Sequence, residues 1–116
     1  LPPDHFDLIL NFYYLDRALW PVYRQALKPG GLLLCETMTR TMLAERPDLP
    51  PEFLLAPGEL RAAFADWDIL MEYEGWLAGR SGHRKAVAQL VARRPAAPPA
   101  SPTDGSGAVG LSAANA

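Results

Sequence analysis

The sequence predicts an α/β fold: a parallel βαβ unit, a further helix, then an inserted antiparallel hairpin. Three observations point to it. Residues 6–12 and 32–38 are short, mainly apolar runs, and the first lacks the alternation of a half-wet strand, the habit of strands buried on both faces of a parallel sheet. Between them, apolar residues recur at helical spacing. Near the end of the folded part, an alternating run and an apolar run flank a glycine-bearing loop, which favours a hairpin.

The first strand is read as Phe6-Asp7-Leu8-Ile9-Leu10-Asn11-Phe12. A helix follows from Asp16 to Leu27, with Ala18, Leu19, Val22, Tyr23, Ala26 and Leu27 on its inward face. Asp16 is placed to cap its start and Lys28 suits its negative end. Pro29-Gly30-Gly31 stops it, and Leu32 to Met38 forms the second strand. The two strands are expected to be parallel, joined by a right-handed crossover. After a proline-bearing connection over 39–56, Pro57-Gly58-Glu59 opens a short helix with Leu60, Ala63 and Phe64 inward. In the hairpin, Trp67, Ile69, Met71 and Tyr73 are expected on a buried face, with Glu72 and Glu74 in water. Its second member, Ala86 to Ala92, is apolar on both faces except at Gln89, so it is expected to insert between its partner and the βαβ strands.

Composition narrows the function. The chain has 116 residues, 49% hydrophobic, and a formal net charge of −2. Its scattered Lys and Arg exclude the basic stripe of a nucleic-acid binder. No apolar run approaches the ~20 residues of a membrane span, and a cytoplasmic location is expected. The single Cys35 excludes an internal disulfide framework or a multi-cysteine metal site, and no metal-ligand spacing is present. From Pro95 onward the sequence is mostly Ala, Pro, Ser and Gly, so 95–116 is expected to be a disordered tail and 1–94 the folded part.

The order of elements, together with Leu1-Pro2, Phe6-Asp7-Leu8-Ile9, Leu27-Lys28-Pro29-Gly30-Gly31, Trp67-Asp68-Ile69-Leu70 and Tyr73-Glu74-Gly75, resembles class I S-adenosylmethionine-dependent methyltransferases. The resemblance covers 1–94 and corresponds to the C-terminal half of that Rossmann-like fold. In wording, including Phe53-Leu54-Leu55 through Glu59-Leu60-Arg61, it is similar to the tellurite-resistance and thiopurine-methyltransferase-like branch. One departure is large. The family holds its donor through a glycine-rich turn after the first strand and an acidic residue after the second. Neither is present, and Gly105-Ser106-Gly107 follows no strand and opens no helix. The chain, which opens Leu1-Pro2-Pro3-Asp4 without an initiator Met, is therefore expected to start inside the domain, after its third strand.

The resemblance implies site residues. Asn11 and Phe12, leaving the first strand here, would meet the cofactor, and Tyr13 and Tyr14 the substrate. Their ordinary alternative is core aromatics and a turn-forming Asn. Glu36 and Arg40, at the end of the second strand, would line the substrate crevice. There Glu36 would either take an acceptor proton or bind a cation, or simply pair with an arginine and hold the loop. His83 and Arg84 enter the last strand beside a loop, 76–82, expected over the substrate. Arg84 matches an arginine of the tellurite-resistance branch, although a surface histidine is more often inert. Cys35 reads as a small core residue.

The implied function is methyl transfer from S-adenosylmethionine, as co-substrate, to a small-molecule acceptor atom: oxygen, nitrogen, sulfur or another chalcogen. The chain alone is expected to be inactive. The rival readings are a non-catalytic half-domain that binds or regulates with another chain, and an inert truncated product. No nucleic-acid or membrane partner is expected. Self-association is expected through strand 6–12, an unpaired apolar edge with no Lys or Pro to block it. Ile9→Lys is expected to relieve it by placing a charge on the exposed strand.

Overall fold

The computed structural model describes residues 1–79 and 82–96; the expected tail beyond residue 96 lies outside the described residues. Four strands form one sheet: β1 (Phe6–Phe12), β2 (Leu27–Met38), β3 (Asp68–Ala78) and β4 (Arg84–Arg93), in the spatial order β1-β2-β4-β3. β1 and β2 are parallel, whereas β4 is antiparallel to both β2 and β3. The second hairpin strand is thus inserted, as its apolar pattern predicts. Among the described residues no helix is long and apolar enough to cross a membrane.

The crossover forms because its ends are fixed locally. Asp16 accepts a hydrogen bond from the Ala18 N–H at 3.0 Å, starting a 3₁₀ turn over Arg17–Leu19. The α-helix proper, α1 (Trp20–Ala26), takes Pro21 in its first turn, where the missing N–H costs nothing. The expected single helix is therefore a turn plus a shorter helix. Its inward Tyr23 and Ala26 are buried. β2 begins at Leu27, earlier than expected. Leu27 lies opposite Phe6, and Gly30 and Gly31 exchange backbone hydrogen bonds with Arg94 at 2.8 and 2.9 Å, so the turn is also strand. Gly31 is obligatory there: a Cβ would lie 2.9 Å from the Lys28 carbonyl and 3.2 Å from that of Asp7.

One face of the sheet is covered. Leu33 and Cys35 of β2 and Ala88, Leu90 and Ala92 of β4 pack with Tyr23 of α1, and with Leu60 and Phe64 from α2 (Glu59–Ala63) and its end. Trp67 completes the cluster, and Arg24 lies 5.6 Å from the Phe64 ring and 5.4 Å from the Trp67 ring. The opposite face is open. Leu8, Leu10 and Phe12 are exposed there, so β1 is an edge strand with one bare face rather than one buried on both. Ile9 faces the covered side and packs against the core. It is the wrong residue for a surface charge, because strand periodicity turns it inward.

β3 departs from its expected alternation. A bulge between Ile69 and Met71 shifts the register against β4. Beyond such a shift every side chain changes face. Trp67 is buried and Ile69 packs on the core, but Met71 and Tyr73 emerge exposed on the open face. Glu72 and Glu74 turn instead toward α2. Glu72 pairs with Arg61 at 2.7 Å, and Glu74 accepts from the Gly58 N–H at 3.0 Å, at the start of that helix.

Candidate functional site

The C-terminal ends of β1 and β2 lie side by side, where open α/β sheets place their ligands. β1 is not simply released at Phe12. The Tyr13 N–H donates to the Glu36 carbonyl at 2.7 Å, extending the parallel ladder by one residue. Tyr13 does so at φ +56°, a left-handed conformation costing a bulky side chain about 1–3 kcal/mol. Its hydroxyl then donates to Glu36 Oε2. Both polar ends of Tyr13 are thus held by one residue. The other Glu36 oxygen, Oε1, accepts from Gln89 Nε2 at 2.7 Å. Lys85 Nζ lies 4.4 Å from the Tyr13 ring centroid. Burial, then the Glu36 carboxylate, push the Tyr13 phenol above its usual range, while Lys85 draws it back.

Two cavities open at this end of the sheet. The first, of about 500 Å³, is lined by Tyr13, Tyr14, Leu15, Asp16, Thr37, Met38 and Phe53. The second, of about 640 Å³, is lined by Met38, Met42, Glu45, Arg46, His83, Arg84 and Lys85. Met38 borders both, and Lys85 links the second to Tyr13 of the first.

The wall of the first cavity is set by Arg17. Its guanidinium grips both carboxylate oxygens of Glu59 and donates to the carbonyls of Glu52 and Leu54 at 3.0 and 3.1 Å. Those carbonyls bracket Phe53, whose ring is exposed. The hydrogen bond from Arg17 holds the Glu59 carboxyl below its usual range.

The residues singled out in the sequence are thus only partly assembled. Tyr13 and Glu36 are in direct contact, and Tyr14 lines the same cavity as Tyr13. His83 and Arg84 line the second cavity, with Arg84 paired to Glu45 at 2.6 Å and 4.0 Å from the Trp76 ring centroid. Trp76 belongs to β3, not to a covering loop, and residues 80 and 81 of the expected loop lie outside the described residues. Arg40 stands apart, directed to the Pro51 carbonyl at 3.4 Å, so Glu36 is held by Tyr13 and Gln89 rather than by an arginine.

Asn11 is 5% exposed, its amide donating to Tyr23 Oη at 3.0 Å on the covered side; its Oδ1 has no partner among the described residues. Phe12 lies on the open face, beside Leu34, Met71 and Gln89 in a shallow depression.

Sequence reasoning missed Lys85, Gln89 and Phe53. Gln89 carried a signal, as the one polar residue in an apolar strand. Lys85 sits beside His83 and Arg84 in sequence, and only the alternation of the strand separates it from Arg84.

No family model and no curated protein matches this chain in sequence. Solved structures do match in shape. A SAM-dependent methyltransferase from Methanosarcina mazei superposes with a TM-score of 0.64 at 14% identity, over 83% of this chain and 62% of the other. TehB from Haemophilus influenzae gives 0.60 at 21%, over 78% and 36%. Geranyl diphosphate C-methyltransferase from Streptomyces coelicolor A3(2), in complex with Mg2+, geranyl diphosphate and S-adenosyl-L-homocysteine, gives 0.54 at 15%, over 80% and 48%.

The chain has a Rossmann-like α/β fold, shared with part of each of these methyltransferase structures. It spans less than two thirds of the length of each of these neighbours. The residues present do not by themselves fit the methyl donor. No described glycine joins the end of a strand to the start of a helix as a donor cradle requires: Gly58 opens the five-residue α2 but follows no strand directly. The Asn11 amide is also committed to Tyr23.

Proposed function

We propose that this chain is the acceptor-side half of an S-adenosylmethionine-dependent methyltransferase acting on a small molecule. Residues 1–94 would be the partial domain and 95–116 a tail. The observation that carries this reading is the pair of cavities at the C-terminal ends of two parallel strands, in a fold that superposes on methyltransferase structures. Tyr13, Tyr14 and Phe53 offer ring faces to an acceptor, Tyr13 also a hydroxyl backed by the Glu36 carboxylate, and His83 and Arg84 a polar wall. Methyl transfer depends chiefly on alignment, and such walls provide it. Phe12, exposed at the end of β1, would approach the donor, while Asn11 would support that strand end from the covered side through Tyr23. The wording of the sequence and the likeness to TehB favour the tellurite-resistance branch, and the bare face of β1 favours a donor-binding half laid beside it.

The test is titration calorimetry with S-adenosylmethionine. The chain alone binds more weakly than about 1 mM, near −4 kcal/mol. The full polypeptide that contains residues 1–116 binds the donor and transfers its methyl group. Micromolar affinity in the chain alone would overturn the half-domain reading, and a full polypeptide without methyl transfer would overturn the enzymatic one.

A further inference from the structure

We propose that Tyr13, Glu36 and Lys85 form a proton-accepting relay, so that the acceptor is a protic group, a hydroxyl, thiol or N–H, rather than one already ionised. This rests on the methyl-transfer reading. Three observations support it. The Tyr13 hydroxyl donates to the Glu36 carboxylate, and the Lys85 ammonium stands over the same ring, 4.4 Å from its centroid. Tyr13 is 43% exposed and lines the first cavity, so a bound molecule can reach it. It is also held at strained φ by two hydrogen bonds to one partner, which fixes the hydroxyl on Glu36.

The proton balance is simple. The acceptor X–H bond breaks with its electron pair left on X, and the proton passes to Tyr13 Oη. The proton already on Tyr13 passes to Glu36 Oε2. Tyr13 ends unchanged, Glu36 ends as a neutral acid, and X is left with a free pair for alkylation. Lys85 balances the negative charge while it crosses the phenol oxygen. Glu36 accepts indirectly because both its oxygens are engaged, one by Tyr13 and one by Gln89. The charged groups facing the phenol are Glu36 from β2 and Lys85 from β4. In this scheme Tyr13 is the catalytic residue, and Lys85 and Gln89 are positioning residues.

Two measurements test the relay. In the chain itself, tyrosine-selective carbon NMR follows the ionisation of Tyr13: Lys85→Met moves it to higher pH and Glu36→Gln to lower pH. In the full polypeptide, Tyr13→Phe lowers kcat about 100-fold, with KM within about twofold. It also removes the solvent-isotope sensitivity of kcat. Lys85→Met lowers kcat and Lys85→Arg restores it. A titration indifferent to both variants, or a wild type active with its acceptor and a Tyr13→Phe variant of equal kcat, overturns the relay while leaving methyl transfer intact. A wild type without methyl transfer overturns both.

Discussion

Replacing Arg17 should loosen the fold and the wall of the first cavity together. Arg17 makes a two-pronged bond to Glu59 and reaches two backbone carbonyls around Phe53. Its side chain is 35% exposed and that of Glu59 25%, so water screens the pair and we assign it about 1 kcal/mol. Each carbonyl bond adds roughly 0.5 kcal/mol net, since both carbonyls can turn to solvent. Arg17→Ala should therefore cost about 2 kcal/mol, which lowers Tm by about 10 °C in a folded unit of this size. The assay is thermal and urea unfolding followed by circular dichroism.

A second readout separates the ion pair from lost packing. Glu59 is held below its ordinary 4.5, first by Arg17, so the contribution is present above that value and lost as pH falls through the folded one. The gap between wild type and Arg17→Ala should be widest at neutral pH and shrink in acid, while Arg17→Met should behave like Arg17→Ala. A loss under about 0.5 kcal/mol, or a gap of equal size at both pH values, would refute the reasoning.

Three further outcomes are expected. Light scattering should show more monomer for Leu10→Lys, which puts a charge on the bare face of the edge strand, whereas Ile9→Lys should destabilise by burying one; equal behaviour of the two would remove the distinction between the faces. Cys35 is pushed up to about 11 by burial and then by Glu36, so it should resist alkylation at pH 8 in the folded chain; because the unfolded thiol ionises near 9.0, stability should fall between pH 9 and 11, and the Cys35→Ala variant should lack that part of the decline. Asn11→Leu removes a buried oxygen without a partner and should raise stability by about 1 kcal/mol in urea titration; a clear loss would mean that the Asn11–Tyr23 bond outweighs the orphaned oxygen.

Most of the architecture was legible because it rests on short-range periodicity. The apolar run from Phe6 to Phe12, the Asp16 cap, the glycines before Leu32 and the single polar Gln89 each report a local backbone state or a degree of burial. Together they were enough to order the sheet and to insert β4. The tertiary structure decided what periodicity does not encode. The bulge after Ile69 exchanged the faces of Met71 and Tyr73 with those of Glu72 and Glu74, since one inserted residue reverses a two-residue repeat. The same held at the site. Tyr13 and Glu36 were named separately, but their contact spans 23 residues, and Lys85 joins them from a strand more than 70 residues beyond Tyr13. Pairwise geometry between distant strands depends on register, and register is settled only when the faces pack.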